Sequence, residues 1–195
     1  MNRTLPIAAL LTFLACEPAP EAAEDTANAT AAGDAPASPT DRAGDAATRP
    51  GATAMLADSA GREVGRATLT AADGAVRVEV RAQGMAPGEH GVHVHAVGQC
   101  DADTGFESAG DHLNPADAQH GLENPQGPHM GDLPNLVVAE DSTGTLQYAS
   151  PVLVMDSVLD GDGGALVVHA QADDQTTDPG GGSGDRIACG EFGRS

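Results

Sequence analysis

Aromatic side chains are nearly missing from this chain: there is no tryptophan, one tyrosine (Tyr148) and three phenylalanines among 195 residues. A core must therefore be aliphatic, and a hydrophobic content of 40% suffices for one. Positive charge is also scarce. Nine Lys and Arg face 29 Asp and Glu, a formal net charge of -20, which argues against binding nucleic acid through its phosphates and fits simple solubility. No stretch sustains an amphipathic helix of useful length, and the apolar run Leu5 to Ala15 is too short to span a bilayer. What the chain has instead is Gly (25) and Pro (13), which suit many turns between short strands.

The N-terminus reads as an address. Asn2-Arg3 and the apolar run ending Phe13-Leu14-Ala15-Cys16 resemble a bacterial lipoprotein signal, in which Cys16 is lipidated and becomes the first residue of the mature chain. The chain is thus expected to be exported to the periplasm and held to the outer membrane, Glu17 not being the aspartate associated with inner-membrane retention. From Glu17 to about Pro50 the composition collapses to Ala, Pro, Thr, Asp, Glu and Gly, with no large apolar residue to bury. Such a segment does not offset its conformational entropy and serves as a tether. The expected division is residues 1–15 signal, 16–50 tether and 51–195 one folded domain.

Within that domain Val76, Val78 and Val80 alternate with Arg77, Glu79 and Arg81, the period of a half-buried strand. A partner strand holds Gly65, Ala67 and Leu69, and Ala71-Ala72-Asp73-Gly74 joins the two as a hairpin. Further strands are expected over 52–56, 91–96, 135–139, 146–150 and 165–170, with Pro151 to Met155 an edge segment or loop entry. Short strands and Gly-rich turns point to an all-β antiparallel sandwich or flattened barrel.

Six of the seven histidines fall between His90 and His129. His93 and His95, two apart on a strand, project from one face while Val92 and Val94 face the core. His169 lies on another strand. Between Val97 and Pro134 runs a long loop without periodicity, rich in His and flanked by Gly and Pro. A bound metal would supply its order. Imidazole suits copper and zinc, and a carboxylate such as Asp132 among histidines favours zinc.

The stretches Gly91-Val92-His93-Val94-His95, Ser108 to Pro115, His129-Met130-Gly131-Asp132-Leu133, Leu166 to His169 and Gly184 to Gly190 resemble the bacterial copper/zinc superoxide dismutases. The resemblance implies an immunoglobulin-like Greek-key sandwich, closed as a flattened eight-stranded barrel with long metal-binding and electrostatic loops. It implies copper on His93, His95, His112 and His169, and zinc on His112, His120, His129 and Asp132. His112 is then shared as an imidazolate. Asp173 matches the carboxylate that orients ligands of both metals, with Asp174 a solvated neighbour. Arg186 matches an arginine that attracts and orients superoxide beside the copper. The implied reaction is dismutation, one superoxide leaving as dioxygen and a second as hydrogen peroxide, with His112 taking and returning a proton. His90 matches no ligand position and reads as a surface or structural residue.

Setting Cys16 aside leaves Cys100 and Cys189, an even pair in an exported protein, and the resemblance joins them as a disulfide. Residues 171–185 carry four aspartates and no lysine, so attraction of superoxide rests on Arg186 and the metals, and a slower on-rate is expected. A metal-buffering protein of the same fold is the alternative from another class. The intact ligand set and Arg186 favour the enzyme. Monomer and homodimer both remain open.

Overall fold

The structure, a computed structural model, describes residues 51–195. The expected signal, Cys16 and the tether lie outside the described residues. Ten strands follow in order: β1 (Ala52–Asp58), β2 (Glu63–Ala72), β3 (Ala75–Gln83), β4 (Gly88–His90), β5 (Val92–His95), β6 (Leu136–Val138), β7 (Thr143–Ser150), β8 (Ala165–His169), β9 (Arg186–Glu191) and β10 (Gly193–Arg194). One helical turn, α1 (Met155–Val158), separates β7 from β8. The described part is all-β, as expected.

The alternation of valine and charge in β3 sets its two faces: Val76, Val78 and Val80 are buried, while Arg77 and Arg81 are exposed. The β2–β3 hairpin is tighter than the four-residue turn expected. Its strands run on to Ala72 and from Ala75, leaving only Asp73 and Gly74 at φ 49° and 81°. Two successive left-handed residues make the turn whose twist matches paired strands, and Asp-Gly is a favoured pair for it.

All pairs are antiparallel, in the order β4-β6-β7-β3-β2-β1-β9-β8-β5, with β10 also on β1. The two ends of that path, β4 and β5, are separated in sequence by Gly91 alone. One strand therefore pairs with β6 through its first half and with β8 through its second, nearly closing the sheet on itself. Gly91 has to be small there, since a Cβ would lie 2.6 Å from Ser183 Cβ. Taking β4 with β5, and β9 with β10 across Phe192, the ten segments make the eight strands of a flattened barrel.

Three of these segments depart from the sequence pattern. β4 has three residues with no apolar side chain, and β10 has two. β9 is covered on both sides around Ala188, Cys189 and Gly190, so it does not alternate. Residues 151–154 form no strand and lead into α1.

Two apolar clusters define what is inside. The larger one fills the barrel and takes Val92, Val94, Leu166 and Val168 from β5 and β8. The opposite face of those strands carries His93, His95 and His169. A smaller cluster of Phe106, Ala109, Ala165, Val167 and Cys189 lies under the loop 96–135, which has only two 3-10 turns. Cys100 and Cys189, 89 residues apart, are joined by a disulfide that ties this loop to β9.

Candidate metal centre

Strand β5 brings the site together by acting as a template for the loop that follows it. Val94 N–H donates to Gly131 O, and Leu113 N–H to Val94 O, both at 2.8 Å. Isolated bridges pair His93 with Asp132 and His95 with His112. The approach demands glycine, because a Cβ at Gly131 would fall 2.1 Å from the Val94 oxygen. His112 and Asp132, distant in sequence, are thus held along the edge of β5 beside His95 and His93.

The first group is His93, His95, His112 and His169, which offer one ligand atom each within 4.8 Å of one another. Three of the rings are oriented by an acceptor behind them. His93 Nε2 donates to Asp173 Oδ2 at 2.6 Å, His95 Nδ1 to Gly110 O at 2.8 Å and His169 Nδ1 to Gly184 O at 3.0 Å. Each acceptor has no proton to give, so it fixes the tautomer and leaves the other nitrogen with a bare lone pair. Those nitrogens (His93 Nδ1, His95 Nε2 and His169 Nε2) are buried without any hydrogen-bond partner. One such atom costs about 1–3 kcal/mol, so three facing one another mark a place built for a cation. Burial holds His93 down to about 3 and His169 to about 4, and it holds His95 well below the usual imidazole value. The three rings are therefore neutral at neutral pH, each with one nitrogen free of a proton, as ligands must be.

The second group is tighter. His112 Nδ1, His120 Nδ1 and His129 Nδ1 lie 3.1, 3.0 and 3.5 Å from Asp132 Oδ1, and the nitrogens of His112 and His129 are 3.3 Å apart. Four ligands about 2.0 Å from a tetrahedral zinc are separated by about 3.3 Å, so the set fits that ion. His93 also comes within 4.8 Å of His112, His120 and Asp132. Its Nε2, however, is spent on Asp173, and its free Nδ1 serves the first group, whereas His129 is in contact with the second. Burial alone would raise Asp132, but hydrogen bonds from His112, His120 and the Gly121 N–H hold it far below the carboxylate range. Burial also opposes charge on His120, yet hydrogen bonds to Asp132 and Asp173 push that ring up to about 9. Burial lowers His129.

Asp173 faces both groups. Its Oδ2 accepts from His93 and its Oδ1 from His120 Nε2 at 3.0 Å, with the carboxylate wholly buried. Gly181 makes room for it: a Cβ there, at φ 62°, would be 1.7 Å from Asp173 Oδ1. Asp174, as expected, is exposed, and it accepts from the Thr176 and Thr177 backbone.

A cavity of about 1210 Å³ opens over His95, His112 and His169. Arg186 lies in its wall, 13% exposed, with Nη1 donating to Phe106 O and Nη2 to Gly110 O, both at 2.8 Å. Glu107, Asp111, Asp117, Asp178 and Asp185 also line the cavity. All nine basic residues of the chain are arginines, so no lysine offsets them.

The expected metal ligands, Asp173 and Arg186 are all found at this place, whereas His90 is buried behind it. His90 Nδ1 lies 2.8 Å from the His169 carbonyl and its Nε2 2.9 Å from the Ala86 carbonyl, a structural position rather than a surface one. The sequence pattern does not reveal the carbonyls of Gly110 and Gly184, which act through main-chain atoms, or the placement of Asp178.

The family model for copper/zinc superoxide dismutase (SODC) matches residues 63–192. The superoxide dismutase [Cu-Zn] of Caulobacter vibrioides is 39% identical over 146 residues, covering 71% of this chain and 83% of that protein. Superoxide dismutase [Cu-Zn] 2 of Aquifex aeolicus is 37% identical, covering 71% and 84%. Among solved structures, a point mutant of a superoxide dismutase-like protein from Bacillus subtilis superposes with a TM-score of 0.65 at 37% identity, over 71% of this chain and 95% of that one.

Proposed function

The chain belongs to the copper/zinc superoxide dismutase family and is a copper- and zinc-dependent superoxide dismutase, and from that premise we propose how its own residues divide the work. Copper would be held by His93, His95, His112 and His169. Zinc would be held by His112, His120, His129 and Asp132, with His112 contributing to both sets. The observation that carries this reading is the pair of donor sets: three orphaned imidazole nitrogens in one, three ring nitrogens within 3.5 Å of a single Asp132 oxygen in the other, and His112 in both.

The reaction converts two superoxide anions and two protons into dioxygen and hydrogen peroxide. Bound copper supplies a one-electron couple, while bound zinc supplies charge without redox chemistry. Arg186 meets the anion in the cavity with a fixed cation, its fork already pinned by two carbonyls so that little ordering remains to be done. With Nδ1 of His112 turned to the zinc group, its Nε2 is the nitrogen that would serve copper and, when released from it, would take a proton and pass it to the departing peroxide, with water giving the second. Asp173 keeps the rings of His93 and His120 from turning.

The domain is residues 51–195, preceded by a signal and tether that carry it to the periplasm, with Cys16 as the lipid site that holds it to the outer membrane. The lipoprotein-like N-terminus supports this placement, and fractionation with mass analysis of the N-terminal peptide tests it.

Metal analysis of three variants tests the site. His169→Ala is expected to lose copper alone, His120→Ala zinc alone, and His112→Ala to weaken both. If His112→Ala leaves either metal untouched, the shared ligand is wrong.

A further inference from the structure

Asp178 has no place in the ligand scheme, yet one of its oxygens reaches two zinc ligands. Its Oδ1 accepts the backbone N–H of His120 at 2.8 Å and lies 3.6 Å from Nε2 of His129. With Nδ1 of His129 turned to His112 and Asp132, Nε2 is the nitrogen that carries the proton once Nδ1 is given to a metal. The other ligand supports on this side are already accounted for. His120 Nε2 donates to Asp173, and Asp132 Oδ2 accepts from the N–H groups of Gly121 and His129. Asp178 is the carboxylate left to face the His129 ring from behind.

We propose that Asp178 is a positioning residue for zinc, holding His120 through its main chain and His129 through its ring. This rests on the assignment of zinc to His112, His120, His129 and Asp132. Asp178 also lines the cavity beside Pro179 and Gly180, so the same oxygen joins the zinc ligands to the cavity wall. That wall is fastened to the zinc segment elsewhere as well. Glu123 N–H donates to Gln175 O at 3.0 Å, Asn124 Nδ2 to Thr176 O at 3.2 Å, and Gln175 Nε2 to Leu133 O at 3.3 Å. Removing the Asp178 carboxylate therefore loosens two ligands and leaves the wall attached. The side chain is 50% exposed, so it meets solvent while Oδ1 points inward.

The test is competition of the protein with a zinc chelator of known affinity, together with the absorption spectrum of its cobalt(II) form. Asp178→Ala is expected to weaken zinc binding by roughly 10–100-fold, the usual effect of losing such a partner, and to shift the cobalt spectrum. Copper uptake should stay unchanged. Asp178→Asn keeps an oxygen for the His120 N–H but not the charge facing His129, and should recover part of the loss. If both variants bind zinc like the parent while His129→Ala loses it, Asp178 has no such role. If His129→Ala also binds like the parent, the zinc assignment falls, and this proposal with it.

Discussion

His95 and Arg186 are fastened to a single atom: the Gly110 carbonyl oxygen accepts from the imidazole Nδ1 and from the guanidinium Nη2, each at 2.8 Å. The side chain proposed to meet the anion and one proposed to bind copper are thus positioned by the same peptide group. That group lies in the segment anchored by the Cys100–Cys189 bond. Arg186→Ala should lower kcat/KM about tenfold through lost attraction and orientation, with copper content unchanged. Arg186→Lys should recover little of this, because an ammonium lacks the fork that spans the Phe106 and Gly110 carbonyls. Steady-state rates with metal analysis decide it, and an unchanged rate removes Arg186 from the mechanism.

The carboxylates around the cavity set the sign of the salt effect. Five acids and one arginine line it, and a net negative mouth repels superoxide until salt screens it. Added salt should therefore speed the reaction, and Asp117→Asn or Asp185→Asn should each raise kcat/KM and flatten that dependence. A rate that falls with ionic strength would mean that Arg186 and the metals dominate the field.

Protons compete with metal, and His120 responds in the opposite direction from His93 and His169. His120 is pushed up to about 9 from an ordinary 6.5, so its contribution to the metal-free fold is complete below 6.5 and is lost as pH rises through 9. His93 and His169 are held down to about 3 and 4 by burial. Their contribution is present above 6.5 and is lost as pH falls toward those values. The metal-free protein should melt highest near pH 6.5, and calorimetry across pH 4 to 10 reads this as the pKa values require. Zinc affinity should climb about tenfold per pH unit between 6.5 and 9, because one proton must leave His120. A pH-independent affinity over that window would contradict the account.

Cutting the disulfide should affect both stability and rate. Closing a loop of 89 residues is worth about 4–5 kcal/mol on the chain-entropy model. A Cys100→Ser, Cys189→Ser double variant should lose up to that much in denaturant unfolding. It should also lose activity as the Phe106 and Gly110 carbonyls release Arg186. Reduced stability with full activity would separate the bond from the arginine.

Much of this was legible in the sequence because it rests on side chains at fixed spacing. Val76 to Arg81 spells out a half-buried strand, and His93 and His95 show two rings on one face. The strands that were not legible have other causes of order. β4 forms because Gly91 lets one strand join both ends of the sheet, and β9 is buried on both faces, so neither alternates. The site was legible in its donors but not in what aims them. Gly110 and Gly184 act through carbonyls that any residue has, and Asp178 reads in sequence as one more acid in an acidic loop.

The most direct test is the decay of superoxide after pulse radiolysis, in the presence of the copper- and zinc-loaded protein and of its His169→Ala variant. Decay is expected to be proportional to protein concentration, with many turnovers per copper, and to be lost in the variant. Superoxide that persists despite full copper and zinc occupancy of the unaltered protein would contradict this.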